Sequence, residues 1–271
     1  MDTRNPHLTA LVRVPADSIA GCELSYLARA PIDVALARRQ HLAYVHVLAE
    51  LGCQIEWLPE LPEYPDGVFV EDTAVVVPEL GVLTSPGVAS RRGEVGSVAS
   101  ALAAHGRTVA LRPPATLEGG DVLRIGRALY VGTSARSNAA GVAELAAALA
   151  PFGYEVRAVA MQGCLHLKSA VTFIAPDLLL ANPDWVDPGA FAVARVITVA
   201  AGEEFGANTL TVSGTTLVSA EFPLTRRRLE QAGIRTRALD VRELHKAEAA
   251  LTCLSILIEP ASGAHRLGQR A

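Results

Sequence analysis

The stretch at 34–51, VALARRQHLAYVHVLAEL, carries apolar side chains at helical spacing, and Gly52 and the β-rich run CQIEWL (53–58) follow it. A glycine just after a helical pattern predicts a left-handed residue that ends the helix. The same order of helix, glycine and strand returns three more times, at Gly106, Gly153 and Gly233. A supersecondary unit that recurs in this way predicts a repeat architecture.

The helical patterns before those three glycines are EVGSVASALAAH (94–105), AGVAELAAALAPF (140–152) and RRRLEQA (226–232). A weaker helix-then-strand pattern without a glycine, GAFAVARVITVA at 189–200, fits into the long gap before Gly233. The chain therefore holds about five units. Adjacent strand patterns separated by turns occur at 68–85, 121–132 and 208–221. Paired strands before a helix favour ββαβ units over a doubly wound sheet, and the sequence has no G-x-G-x-x-G motif.

The composition is that of a globular protein with a sizeable core, since 50% of the 271 residues are hydrophobic and 19% are charged. No linker rich in proline, glycine or serine divides the sequence. We therefore expect a single domain over 1–271, in which the polar end at 260–271 is frayed.

Charge and hydropathy argue against several classes of partner. The net charge is −4 and the basic residues are scattered, which gives little support for a nucleic-acid surface. No stretch approaches the roughly 20 uninterrupted apolar residues of a membrane span. The opening MDTRNPHLTALVRV makes a poor signal peptide because Asp2 and Arg13 interrupt it. We expect a cytoplasmic protein with no nucleic-acid and no membrane partner.

None of the four cysteines belongs to a C-x-x-C pair, so we expect free thiols and no structural zinc site. An isolated cysteine is usually a small buried hydrophobe. Cys253 differs because it lies in AALTCLSILIEP (249–260), where a polar helical stretch gives way to an apolar strand. Element ends commonly present catalytic groups.

His166 lies in GCLHLKSAVTFIAP (163–176), where a strand would place it on one face with Cys164 and Lys168. A histidine flanked by leucines is more often a satisfied core residue, and two ligands do not make a metal site. Histidine is nevertheless the side chain best suited to move protons near neutral pH.

Acidic residues next to buried strands are the most informative feature. Glu71 and Asp72 interrupt the apolar run PDGVFVEDTAVVV (65–77), which reads as a buried strand. Turn chemistry accounts for Asp66 and for Asp121 of LEGGDVLRIG (117–126), but poorly for two acids inside an apolar run. Neighbouring strand residues point to opposite faces, so one acid should face a core or a pocket. A guanidinium would offset its burial, since its planar fork binds carboxylates bidentately.

Arginines in two loops could receive the opposite end of such a ligand. Arg91 and Arg92 lie in SPGVASRRGE (85–94), and Arg136 lies in GTSARSNAAG (132–141). Surface solubility or capping is one interpretation. The other is a clamp for a carboxylate near a helix N-terminus. Acids at one end and arginines at the other would suit an amino acid that carries a guanidinium.

Six motifs then indicate a family: DGVFVED (66–72), PGVASRRGE (86–94), LEGGD (117–121), ARSNAAG (135–141), LHLKS (165–169) and LTCLS (251–255). Because these motifs occur in this order and at these spacings, the chain resembles the dimethylarginine dimethylaminohydrolases over about 11–258. Six ordered motifs are far more specific than one pattern match. The resemblance implies the pentein fold of the guanidino-modifying enzymes, a five-bladed α/β propeller of ββαβ repeats around a pseudo-fivefold axis.

The resemblance also implies roles for individual residues. Cys253 would be the nucleophile, His166 the general acid and base, and Glu118 the carboxylate that orients the histidine and the guanidinium. The implied substrate contacts are Glu71 and Asp72 to the guanidinium, Asp66 to the far end, Arg91 and Arg136 to the α-carboxylate, and the backbone carbonyls of Leu24 and Ala247 to the α-amine.

The implied reaction hydrolyses Nω-methylated arginine to citrulline and methylamine or dimethylamine through a covalent thiouronium, without a metal or another cofactor. We expect a small-molecule substrate and a monomer or homodimer. Two alternatives stay open: an arginine deiminase-like enzyme that acts on unmethylated arginine, and a non-catalytic pentein-fold binding protein such as the ribosome anti-association factor.

The residues before the nucleophile depart from the family pattern K-V-D-G. Lys246 is followed by Ala247, Glu248 and Ala249, so a glutamate replaces the usual aspartate and an alanine replaces the glycine. Alanine lacks the left-handed freedom of glycine. We therefore expect the wall near the α-amine to differ from that of the family.

Overall fold

The computed structural model describes residues 8–260. The α-helices in this range are α1 Val34–Glu50, α2 Val95–His105, α3 Ala139–Leu149, α4 Leu167–Ala170, α5 Pro223–Gln231 and α6 Arg242–His245. The strands are β1 Thr9–Val12, β2 Gln54–Trp57, β3 Ala74–Val77, β4 Leu80–Leu83, β5 Thr108–Ala110, β6 Val122–Ile125, β7 Ala128–Thr133, β8 Glu155–Ala160, β9 Val171–Ala175, β10 Leu178–Ala181, β11 Arg195–Thr198, β12 Leu210–Val212, β13 Thr215–Ser219, β14 Thr236–Leu239 and β15 Ile256–Ile258.

The strands of this range form five sheets of three strands: β3-β4-β5, β6-β7-β8, β9-β10-β11, β12-β13-β14 and β15-β1-β2. In each sheet the middle strand pairs antiparallel with one neighbour and parallel with the other. A tight turn joins the antiparallel pair in the four sheets that begin with β3, β6, β9 and β12. The parallel pair needs a crossover, which α1, α2, α3 and α5 supply in four of the five sheets. The predicted five-bladed α/β propeller of ββαβ units is confirmed.

The fifth sheet closes the ring because it joins distant parts of the chain. Strand β15 pairs antiparallel with β1, in a register that sets Ile258 opposite Thr9 and Ile256 opposite Leu11. Strand β1 in turn pairs parallel with β2. Leu11 and Ile256 are buried in one hydrophobic cluster with Leu83 of the next sheet, so closure also buries apolar surface between neighbouring units.

Two local predictions were wrong. The helix expected in 189–200 is absent, because Pro188–Ala190 forms a single 3-10 turn before β11. Gly189 has a low helix propensity, and the Asp187 side chain accepts from its amide at 2.9 Å, a local bond that favours a turn. Gly106 was predicted to be left-handed, but its φ is 162° and its backbone is extended. Three glycines end their helices in the left-handed region as predicted: Gly52, Gly153 and Gly233.

A cavity of about 330 Å³ occupies the middle of the ring, and its walls come from β3, β6, β9, β12 and β15. Each of these strands follows a short helical segment: Val70–Thr73, Gly119–Asp121, α4, Glu204–Ala207 or Thr252–Leu254. Val70–Thr73 contacts Gly119–Asp121 and Thr252–Leu254, and α4 contacts Gly119–Asp121 and Glu204–Ala207. The ring thus gathers five equivalent chain positions at one place.

Glu71, Asp72 and His166 were predicted on strands, and this was wrong. The acids lie in the 3-10 helix Val70–Thr73, and His166 is the residue before α4. Local hydrogen bonds explain the difference for the acids: the Asp72 amide donates to Phe69 O at 3.4 Å, and Thr73 Oγ1 donates to Val70 O at 2.7 Å. Both acids are consequently buried together.

Between residues 8 and 260 no helix combines the length and the apolar character that a membrane crossing requires. Most of the predicted frayed end at 260–271 lies outside the described residues.

Candidate active site

A small cavity lies where the helical segments Val70–Thr73 and Thr252–Leu254 approach the residues just before α4. Cys253 and His166 both line it, together with Asp66, Asp72, Arg91, Arg136 and Ala247. Its volume is about 10 Å³, which is room for about one water molecule. The ring therefore brings the predicted sulfur, the predicted imidazole and five of the seven predicted substrate-binding residues to one cavity, although they are spread over most of the sequence.

Cys253 is partly exposed in the 3-10 helix Thr252–Leu254, immediately before β15. The Ala250 amide donates to its sulfur at 3.5 Å. Burial raises the pKa of the Cys253 thiol well above its ordinary value, and the charges of Glu71 and Asp72 raise it further. The sulfur in this structure is therefore a thiol, and a nearby cation would be needed to stabilise the thiolate.

His166 is held by a carboxylate on either side. Its Nε2 lies 2.7 Å from Glu118 Oε2, and its Nδ1 lies 3.7 Å from Asp72 Oδ1. Burial lowers the pKa of His166, but Asp72, Glu118 and Asp121 outweigh it and bring the pKa to about 9. The imidazole is consequently protonated at neutral pH and is held by Glu118, and its role as a general acid stays a prediction.

Asp72 and Arg91 form a buried ion pair, with Arg91 Nη1 2.7 Å from Asp72 Oδ2. The other Asp72 oxygen accepts from the Gly120 amide at 3.0 Å. Burial raises the pKa of Asp72, but His166 and Arg91 outweigh it and lower the pKa to about 2. Arg91 also binds Glu94 at 2.9 Å, so this arginine is fixed by two acids.

Glu71 faces the central cavity and not the small one. Lys168 Nζ lies 2.6 Å from its Oε1, and Thr252 Oγ1 donates to its Oε2 at 2.6 Å. Burial raises the pKa of this carboxyl. Glu71 thereby connects the residue before the nucleophile to α4, and its contact with a guanidinium stays a prediction.

The groups predicted for the amino acid end of the substrate surround the segment at 22–27. Asp66 accepts from the Glu23 amide at 3.1 Å, and Arg136 Nη2 donates to Ser25 Oγ at 3.2 Å. Arg136 also lies 3.5 Å from Glu118, which links the two ends of the cavity. Leu24 is half-buried between these two contacts, and its carbonyl contact to the amine stays a prediction.

Sequence reasoning missed several positioning residues. Asp121 was explained as a turn residue, yet it is fully buried and accepts from Ser134 Oγ, Ser137 Oγ and the Leu167 amide at 2.6, 2.6 and 3.0 Å. Asn208 donates to Thr252 Oγ1 at 3.0 Å and accepts from the Thr252 amide at 3.1 Å. An acid and an amide just before apolar strands were the signal that could have pointed to both.

Asp72, Glu118 and His166 have the spacing of a possible metal site, because one ligand atom from each lies within 4.8 Å of the others. Their existing partners disfavour a second cation. The imidazole is already bound to Glu118, and the fixed charge of Arg91 lies against Asp72. Absence of a metal requirement stays a prediction.

The sequence was compared with family models and with individual proteins. No family model matches the chain. The chain is 38% identical over 254 residues to an N(G),N(G)-dimethylarginine dimethylaminohydrolase of Streptomyces coelicolor, which covers 93% of this chain and 97% of that one. It is 31% identical over 249 residues to the enzyme of the same name from Pseudomonas aeruginosa, over 91% of this chain and 97% of that one.

A solved structure also matches closely. It is a cysteine-to-serine mutant of the Pseudomonas aeruginosa enzyme in complex with citrulline, with a TM-score of 0.89 and 29% identity over 93% of this chain and 100% of that one. Similarity of this extent in sequence and in fold shows that the chain belongs to the dimethylarginine dimethylaminohydrolase family.

Proposed function

We propose that the protein hydrolyses Nω-methylated arginine, either dimethylarginine or monomethylarginine, to citrulline and the corresponding methylamine. The observation that carries the proposal is a shared cavity in which a partly exposed cysteine meets a protonated histidine between two carboxylates. The family relatives act on dimethylarginine by name, and one of them has been solved with citrulline.

The substrate cation would activate the nucleophile. Burial and two carboxylates keep the pKa of Cys253 high, so the free enzyme holds a thiol. A guanidinium beside the sulfur lowers that pKa, because an opposite charge favours the thiolate. The thiol proton leaves to solvent, and the thiolate then forms a bond to the guanidinium carbon and gives a tetrahedral adduct. Activation would thus require the correct ligand.

His166 would move the protons of both half-reactions. The imidazolium donates its proton to the departing amine as the carbon–nitrogen bond breaks, which leaves a thiouronium on Cys253. The neutral imidazole then accepts a proton from water as the oxygen attacks the same carbon. Collapse of the second adduct breaks the carbon–sulfur bond, the departing sulfur takes up the hydroxyl proton and returns to the thiol, and citrulline is released. Glu118 holds the ring in place through both steps.

The remaining groups would hold the substrate at its two ends. Glu71 and Asp72 provide negative charge for the guanidinium, and Arg91 and Arg136 provide donors for the α-carboxylate. Asp66 and the backbone carbonyls of Leu24 and Ala247 would receive the amine. The proposed route uses no metal, since the bound guanidinium supplies the positive charge that favours the attacking thiolate.

The proposal extends to the organisation of the protein. The chain would form a single catalytic domain over 1–271. Every unit of the ring except the one that contains β12–β14 supplies at least one predicted site residue, so the site depends on the ring as a whole. A cytoplasmic location suits four free cysteines, because reducing conditions keep thiols unpaired. The oligomeric state stays a prediction of monomer or homodimer.

The test measures amine release from dimethylarginine, monomethylarginine and arginine with equal enzyme concentrations. We expect turnover of the methylated substrates, and a Cys253→Ser variant slower by more than about 1,000-fold because the hydroxyl is a far weaker nucleophile. Cys53→Ser is the matched control, since Cys53 is buried outside the site.

A preference for unmethylated arginine would support the deiminase alternative. An active Cys253→Ser variant would exclude the covalent route, and failure of an arginine-mimicking haloacetamidine to label Cys253 would favour a binding protein.

A further inference from the structure

Three consecutive backbone amides point at one carboxylate above the site. The amides of Ser25, Tyr26 and Leu27 all donate to the Glu248 carboxylate, and the Ser25 amide lies 2.9 Å from Oε2. Successive N–H groups that converge in this way form an anion-binding concavity. We call residues 23–27 the covering segment, because Glu23 lines the small cavity and Glu248 lies beside it in the wall.

The backbone at Glu248 is unusual and is held in place. Its φ is +56°, in the left-handed region that a residue with a side chain rarely adopts. The Glu248 amide donates to His245 O at 3.0 Å, and the Ala249 amide donates to Leu244 O at 3.3 Å. Such a conformation persists only where surrounding contacts maintain it, and it recurs at functional sites. Here it directs the carboxylate towards the covering segment.

The covering segment has two further attachments to the site. Asp66 accepts from the Glu23 amide, and Arg136 donates to Ser25 Oγ. Both of these side chains are proposed to bind the amino acid end of the substrate, so substrate and segment use the same groups. Glu248 is the attachment that has no proposed substrate contact of its own.

Groups around the cavity must move apart to admit a ligand. Its volume suits about one water molecule, far less than an amino acid with a guanidinium. Glu23 of the covering segment and Glu248 are both among the residues that line it, so the attachment between them bears on entry.

We propose that Glu248 is a positioning residue whose carboxylate clamps the covering segment over the site and so holds the amino acid end of bound substrate. The part that concerns the substrate rests on the proposed function. The clamp itself is a property of the free enzyme and can be measured without turnover.

The first experiment measures hydrogen exchange of the peptide that spans the covering segment, on the full-length free enzyme. In Glu248→Gln the amide nitrogen replaces one acceptor oxygen and the charge is lost, so we expect exchange at least about tenfold faster. Glu248→Asp keeps the charge and should lie closer to the wild type. The matched control is Glu221→Gln, because Glu221 lines the neighbouring cavity with Glu248 but its carboxylate binds His245. Equal protection in the wild type and Glu248→Gln would overturn the clamp.

The second experiment measures steady-state rates with dimethylarginine. We expect Glu248→Gln to raise KM by about tenfold while kcat changes by less than about threefold, since a clamp contributes to holding the substrate and not to the bond-breaking step. Partial recovery of KM in Glu248→Asp would support the same role. Faster exchange with an unchanged KM would overturn the positioning role. If the wild type turns over no methylarginine, the proposed function fails, and the exchange result still decides the clamp.

Discussion

Charge on His166 is set by groups within hydrogen-bonding or ion-pair distance. Burial alone would lower its pKa, yet Asp72 at 3.7 Å and Glu118 at 2.7 Å raise it to about 9. A raised pKa keeps the imidazolium present through neutral pH and removes it as the pH rises through 9. The general acid should therefore be available across the physiological range, and kcat/KM should fall on the alkaline side near pH 9.

Asp72→Asn tests this assignment at the scale of one residue. The amide keeps the size of the side chain but removes the charge that raises the pKa of His166 most, so the alkaline limb should move down by about one pH unit or more. The measurement is the pH profile of kcat/KM. A loss of rate with the limb still near pH 9 would show that Asp72 does not set the protonation of His166.

At the scale of elements, the short helical segments before the first strands carry the site. Gly119–Asp121 approaches His166 so closely that a side chain would not fit: a Cβ on Gly120 would lie 2.6 Å from His166 Nδ1 and 2.8 Å from Asp72 Oδ1. The glycine is therefore required by the close approach of an element to the imidazole.

Gly120→Ala should displace the His166 ring from Glu118 and reduce kcat by about 100-fold, since small misplacements of a catalytic group have effects of that size. Gly96→Ala is the matched control, because nothing lies within 4 Å of its Cβ and alanine suits the helix α2. Circular dichroism and rates should be compared for the two variants. Full activity in Gly120→Ala would mean that the imidazole position is not critical.

The repeat of helix, glycine and strand was visible in the sequence because each helix and strand has a local period and each break has a local cause. The short helical segments before the first strands were not visible in the sequence, since three or four residues are too few to show a helical repeat of apolar side chains. Glu71 and Asp72 were therefore assigned to a strand, and the role of Asp121 in holding α4 was missed. The family motifs named the site residues, but the anchoring by Asn208, Lys168 and Glu248 depends on contacts between distant segments.

At the scale of the whole molecule, a buried histidine outside the site links stability to pH. His41 of α1 is 1% exposed, and its Nε2 has no hydrogen-bond partner within the described range. Burial lowers its pKa from 6.5 to about 4. The unfolded chain therefore binds the proton first, and the free energy of unfolding falls as the pH drops from 6.5 until about pH 4. His166 has the opposite sign, since its contribution is lost as the pH rises through 9.

We expect the His41 contribution to reduce the free energy of unfolding by about 3 kcal/mol between pH 6.5 and pH 4. His41→Leu should remove that part of the decrease and leave the part due to carboxylates. Urea unfolding at several pH values measures it, with His46→Leu as the control because His46 is exposed on the same helix. Parallel curves for the wild type and His41→Leu would exclude the assignment.

The sheet that joins β15 to β1 also determines when the molecule can become reactive during synthesis. The ribosome produces β1 before the other described strands, but the partner that completes its sheet comes after all of them. Cys253 lies just ahead of that partner, and Glu248 only a few residues earlier. A nascent chain with four finished blades already has its imidazole and acids but neither its sulfur nor the anchor of its covering segment. Reactions that need the Cys253 thiol at the site therefore become possible only after the fifth sheet has formed.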